Sequence, residues 1–210
     1  MRLGKTPRLV AVLAVMLVGA LAAGGSLAAA APRHDVCVST HGVVRVDLVV
    51  GSSTCASTDG GVAVVVGDDS FAASGVDSVA IAIGENNFSG AGGGPGNFAL
   101  IVGDRNTVFA DAGADNRGIV IGNGSLAVAN FGDDNSAFVN GDESVAVAAG
   151  AGPNFDGNTA RVIGNGSQAR ATDGNNNTAR VTGDGSDATA TAPDGCTTVV
   201  IGDGASDNCP

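Results

Sequence analysis

The chain has 210 residues, 34 of them glycine, with no tryptophan or tyrosine, and a formal net charge of −11 from 21 acidic against ten basic residues. A chain this acidic repels nucleic acid, and 3% aromatic residues leave little to fill a wide interior. Short alternating segments punctuated by Gly, Asn and Asp point instead to one small unit repeated along the chain.

Residues 1–30 read as an export signal. Arg2, Lys5 and Arg8 precede an apolar run from Leu9 to Ala23, and Ala28-Ala29-Ala30 supplies a small-x-small cleavage pattern. The run ends in Gly24, Gly25 and Ser26 with no charged stop-transfer segment after it. The mature chain is therefore expected to be secreted, extracellular or in the cell wall, with no transmembrane segment. Cleavage removes three basic residues and no acidic one, leaving seven arginines, no lysine and a net charge of −14.

Residues 31–60 are expected to form an N-terminal cap containing Cys37 and Cys55. Cys196 and Cys209 lie at the other end. An even cysteine count in an exported chain argues for disulfides. Of the three connectivities, the local one is favoured, because each of its pairs is close in sequence and closes one end of the repeats. His34, Cys37, His41 and Cys55 also contain zinc-ligand chemistry, which an oxidising compartment disfavours.

The repeats occupy residues 61–210. A glycine followed by an acid or amide returns at Gly67-Asp68, Gly84-Glu85, Gly103-Asp104, Gly122-Asn123, Gly141-Asp142, Gly164-Asn165, Gly183-Asp184 and Gly202-Asp203. The intervals are 17, 19, 19, 19, 23, 19 and 19 residues. Two residues before each glycine stands a mostly β-branched column (Val65, Ala82, Ile101, Val120, Val139, Val162, Val181, Val200), and four before it a small one, mostly alanine. That period of two marks one face of a short strand. After the turn a second alternating segment begins, with Ser or Asn three residues past the glycine and mostly small residues at plus five and plus seven. Each unit is then strand, turn, strand, turn, and one unit cannot bury a face alone.

The expected fold is all-β: a parallel β-solenoid, a thin two-sheet β-roll or β-helix of about eight to nine rungs with a period of about 19 residues. Gly51 with Val49, Thr54 and Ala56 looks like a degenerate extra rung. Asn-Gly and Asp-Gly pairs supply the turns, and successive asparagines are expected to stack as amide ladders. A core of alanine buries little area, so backbone ladders and capped ends must contribute much of the stability.

Outward-facing positions form a candidate interaction strip on the early rungs: Val64, Val66, Ile81, Ile83, Leu100, Val102, Ile119 and Ile121. Later rungs replace it with Phe138, Arg161 and Arg180. An aliphatic strip of this extent calls for a cover. The alternatives are a second copy or another cell-envelope or extracellular partner, and the chain's own segment from Val43 to Val50.

No cofactor is expected. The column after the recurring glycines could bind Ca²⁺ through aligned carboxylates, but two of its members are amides and turn preference accounts for it. Catalysis is not expected: the two histidines precede the repeats, and paired acids such as Asp68-Asp69 and Asp133-Asp134 sit side by side in turns, pointing apart.

The segments Asp77-Ser78-Val79-Ala80-Ile81-Ala82-Ile83-Gly84 and Glu143-Ser144-Val145-Ala146-Val147-Ala148 resemble the head repeats of trimeric autotransporter adhesins. That resemblance implies a β-roll and adhesion to host matrix. Gly174-Asn175-Asn176-Asn177-Thr178-Ala179-Arg180-Val181 is similar to curlin-type repeats, which implies a self-assembling fibre. The whole pattern also resembles exported Gly/Ala/Asn repeat proteins of actinobacteria, including mycobacteria. The expected function is a structural or adhesive repeat protein without catalytic activity, with a curli-like fibre subunit and a Ca²⁺-binding extracellular repeat protein as the alternatives.

Overall fold

The computed structural model describes residues 35–48, 51–141, 143–149, 155–164, 166–183, 185–191, 194–202 and 206–208. Residues 1–30, expected from sequence to be an export signal, and His34, Val49, Val50 and Cys209 lie outside them. Among the described residues the fold is the expected all-β parallel solenoid of two sheets, without helices.

A hairpin, β1 (Val36–Thr40) and β2 (Val43–Leu48), opens the chain. Strands then alternate between the sheets. The first rungs are β3 (Thr54–Ser57) with β4 (Val62–Val66), β5 (Phe71–Ser74) with β6 (Val79–Ile83), and β7 (Phe88–Ala91) with β8 (Phe98–Val102). The middle rungs are β9 (Thr107–Asp111) with β10 (Arg117–Ile121), and β11 (Leu126–Asn130) with β12 (Ser136–Asn140). The last are β13 (Val145–Ala149) with β14 (Thr159–Arg161), β15 (Gln168–Thr172) with β16 (Thr178–Val181), β17 (Asp187–Thr191) with β18 (Thr197–Val200), and the lone β19 (Ser206–Asn208).

Odd-numbered strands from β3 onward form one nine-stranded parallel sheet, here sheet B. Even-numbered strands from β4 onward form the parallel part of the ten-stranded sheet A. Register is strict: Val64 pairs with Ile81, Ile81 with Leu100, Leu100 with Ile119 and Ile119 with Phe138. A side chain therefore repeats at the ordinary strand spacing of about 4.8 Å along the solenoid.

The interior follows the predicted columns. Ala63, Ala80, Ala99, Ala137, Ala160 and Ala179 from sheet A face Ala72, Ala127, Ala146, Ala169 and Ala188 from sheet B, all essentially inaccessible to solvent. So thin a core tolerates no extra methyl group. Val108 of β9 stands between Ser89 and Ala127 in its column, and Gly118 of β10 stands between Ala99 and Ala137. A Cβ at Gly118 would lie 2.5 Å from Val108 Cγ1, so the two positions exchange one side chain's volume between facing strands.

The N-terminal end is closed by a different pairing. β1 runs antiparallel to both β4 and β2, whereas β4 to β18 of sheet A pair with one another in parallel. Its inward Cys37 forms a disulfide with Cys55 of β3, which ties the two sheets together across the interior. Ser39 Oγ and Ser57 Oγ lie 2.8 Å apart and add a second link between the same two strands. Asp35 completes the cap: its carboxylate accepts the Gly51 amide at 2.8 Å and the Ser53 amide at 3.0 Å. At the other end Cys196 is disulfide-bonded too, while Cys209 lies outside the described residues. With Cys37 and Cys55 joined to each other, their sulfurs are not available to the zinc set.

The segment Val43 to Val50 does not lie over the aliphatic strip. Its described part is β2, which hydrogen-bonds to the edge of β1 and so extends sheet A within its own plane. A strand with a free neighbouring edge satisfies its backbone groups by pairing there, whereas lying across the face would leave them without partners.

Candidate functional site

The corners decide which polar groups remain available. At the first corner of each rung, Ser53, Ser70, Asn87, Asn106, Ser125, Ser144, Ser167 and Ser186 form one inward column, each almost fully buried. At the second corner Ser78, Asn97, Asn116, Asn135, Asn158 and Asn177 form another, ended by Cys196. A short polar side chain suits these places, because it sits where the backbone turns and can satisfy groups that no strand partner reaches.

The bonds run from rung to rung. Asn97 Oδ1 accepts the Asn116 amide at 2.9 Å, Asn116 Oδ1 that of Asn135 at 2.9 Å, and Asn177 Oδ1 that of Cys196 at 2.8 Å. In the same direction Asn97, Asn116 and Asn158 each donate from Nδ2 to a turn glycine carbonyl of the next rung, at 2.8 to 2.9 Å. Serines do the same with Oγ, as Ser144 does to Gly164 and Ser167 to Gly183.

Among the described acids and amides after the recurring glycines, Asp68 accepts the Asp35 amide at 3.1 Å, and Asp104 and Asn123 are engaged as well. Asp104 Oδ1 accepts the Glu85 amide at 2.9 Å, and Asn123 Oδ1 the Asp104 amide at 2.8 Å. Asp133, Asp156, Asn175 and Asp194 repeat this pattern at the second corner, at 2.7 to 2.8 Å. Asp142, Asn165, Asp184 and Asp203 lie outside the described residues. Among the described residues no group of three or more His, Cys, Asp or Glu side chains could hold a metal ion.

With the corners occupied, the sheet faces carry the remaining chemistry. On sheet A the strip is graded: Val64 and Ile119 are buried, Val66, Ile81, Ile83 and Leu100 half-buried, and Val102 and Ile121 exposed. Val38, Val62, Val64 and Val79 form a hydrophobic cluster of their own, separate from the interior, with Val46, Val66, Ile81 and Phe98 packed against it. Register thus brings all eight strip residues onto one face, joined there by β1 and β2.

Sheet B has a feature absent from the predicted strip. Phe71 stacks on Phe88 with ring centroids 5.0 Å apart, and Phe88 meets Phe109 at 5.2 Å. Gly90 lies beside the last two rings, leaving a shallow hollow of about 280 Å³ lined by Phe88, Phe109, Ala73, Gly75 and Asp111. The first two rings are stacked and the third is tilted by 49° to the second, so the three do not form one flat aromatic platform. Three of the chain's seven phenylalanines at alternating-strand positions were the available signal.

Compared with known proteins, the chain matches no family model, no curated protein and no solved structure. Among the described residues no helix is long and apolar enough to cross a membrane.

Proposed function

We propose that this is an exported repeat protein of the cell envelope or extracellular space that acts without catalysis, as a structural or adhesive element working through its sheet faces. The observation that carries this reading is the commitment of the corner side chains. Asparagine, aspartate and serine, which would otherwise supply catalytic or ligating groups, spend their oxygens and amides on neighbouring rungs. The exposed parts of the two broad faces, such as Val102 and Ile121 on sheet A and Phe88 on sheet B, remain open to contact. The likeness to adhesin head repeats and to exported actinobacterial repeat proteins, carried by segments such as Ser78-Val79-Ala80-Ile81-Ala82-Ile83-Gly84, fits the same reading.

A discrete protein fits better than a curli-like fibre. The antiparallel β1–β2 hairpin interrupts the parallel register of sheet A at the N-terminal end, so a second copy cannot continue that sheet's parallel ladder from β4. A calcium-binding role has less to work with, since one oxygen of Asp104 and one of Asp133 already accept backbone amides. Fractionation of cells expressing the native full-length chain tests the proposal. The processed protein should be found in the medium or envelope fraction, and accumulation in the cytoplasm with residues 1–30 still attached would overturn it.

A further inference from the structure

The charges of this chain are sorted by place. The eight parallel strands of sheet A contain no aspartate or glutamate, yet they hold Arg117, Arg161 and Arg180, three of the seven arginines that follow residue 30. Arg161 and Arg180 are direct register partners on β14 and β16, and both are exposed on the outer face. Two like charges opposed at about one strand spacing disfavour each other. Neither has a carboxylate partner among the described residues, in a chain otherwise dominated by acids.

In its own column the pair is flanked by Phe138 and Val199, and hydroxyl groups stand beside it. Thr159, Thr178 and Thr197 form an in-register column beside it, placing hydroxyl groups on the same face as the guanidinium groups. The Arg161 guanidinium lies over the Phe138 ring, 5.9 Å from its centroid, which fixes its direction through a cation–π contact. Arg161 is the last residue of β14 and Arg180 the third of four in β16, and the acids nearest to them in sequence are Asp156, five residues before Arg161, and Asp184, four residues after Arg180.

We propose that this face of β12 to β18 binds a linear anionic polysaccharide, gripped through its carboxylate or sulfate groups. An oxyanion between Arg161 and Arg180 receives forked donors from both and removes their mutual repulsion. The threonine column supplies hydrogen bonds to sugar hydroxyls, and an open face without a pocket suits a chain laid along the solenoid axis. This deepens the adhesive reading by naming a ligand class. It is measured on purified protein, so its failure is distinct from a failure of the proposed location.

The test uses the oxidised mature chain and two immobilised polymers, polygalacturonate for carboxylate and dextran sulfate for sulfate. Binding to at least one polymer is expected at low salt, weakening as salt is raised, and the preferred polymer assigns the oxyanion. R161Q/R180Q should lose at least about tenfold in affinity and R180Q alone about threefold, with unchanged circular dichroism. R105Q/R170Q removes the same charge from elsewhere and should stay within about twofold of the parent. Failure of the parent to bind either polymer overturns the proposal, as does an equal loss in the two double variants.

Discussion

Replacing Gly103 by alanine is expected to be among the most damaging single changes in the chain, costing at least about 4 kcal/mol. Two independent effects add. The backbone there has φ of +130°, a conformation that side-chain-bearing residues enter only at a cost of about 1–3 kcal/mol. A Cβ would also collide with the Gly122 carbonyl of the next rung, 2.8 Å from its carbon and nearer still to its oxygen. Relief requires the two rungs to separate, which breaks the bond from the Gly122 amide to the Val102 carbonyl, 3.0 Å long. Gly195 supplies the control. Its φ is +75°, but nothing lies within 4 Å of a Cβ built on it, so Gly195→Ala should cost only about 1 kcal/mol. Chemical denaturation of both variants separates stacking from turn conformation. Equal losses would mean that the glycine column serves the turns alone.

The second large effect is expected at Asn116, whose side chain is fully buried. Truncation to alanine strips the acceptor from the Asn135 amide and the donor from the Gly132 carbonyl, and leaves a void between rungs. Each orphaned backbone group costs about 1–3 kcal/mol, so Asn116→Ala should lose about 3–5 kcal/mol. Asn116→Ser should lose less than half of that. The chain itself makes this exchange: Ser78 heads the same column, and its Oγ accepts the Asn97 amide at 3.2 Å while donating to the Gly94 carbonyl at 3.1 Å. Amide hydrogen exchange provides a second readout, since protection at Asn135 should fall in the alanine variant and persist in the serine one. Because each rung contacts only its neighbours, the loss should centre on β8 to β12 rather than spread evenly.

The repeat period and the inward columns were legible because they are local: β-branched and small residues alternate at fixed offsets from a glycine, and a strand has only two faces. The glycine was legible as a turn former, but its second role was not. That role is set by the rung above, and the carbonyl of Gly122 is 19 residues away from Gly103. The second polar column, Asn97 to Asn177, reads in sequence as ordinary turn asparagine. Only stacking shows that these side chains point inward and are spent on backbone groups.

The N-terminal hairpin was the least legible element. Val43 to Leu48 is apolar at most positions and was expected either to cover the strip or to leave it to a partner. Antiparallel pairing of β1 with β4 depends on a reversal of chain direction that no periodic signal encodes. Register places the strip residues on one face, but their graded accessibility, from Val64 at 3% to Ile121 at 44%, is not visible in the sequence. Burial on an outer face depends on what neighbours it in space.

Light scattering with thioflavin staining of the oxidised mature chain, residues 31–210, bears most directly on the claim that this is an end-capped solenoid acting as a discrete unit. The cap predicts a single soluble species of defined mass that does not stain while the Cys37–Cys55 disulfide is intact. Fibres that grow and stain under the same oxidising conditions would contradict it.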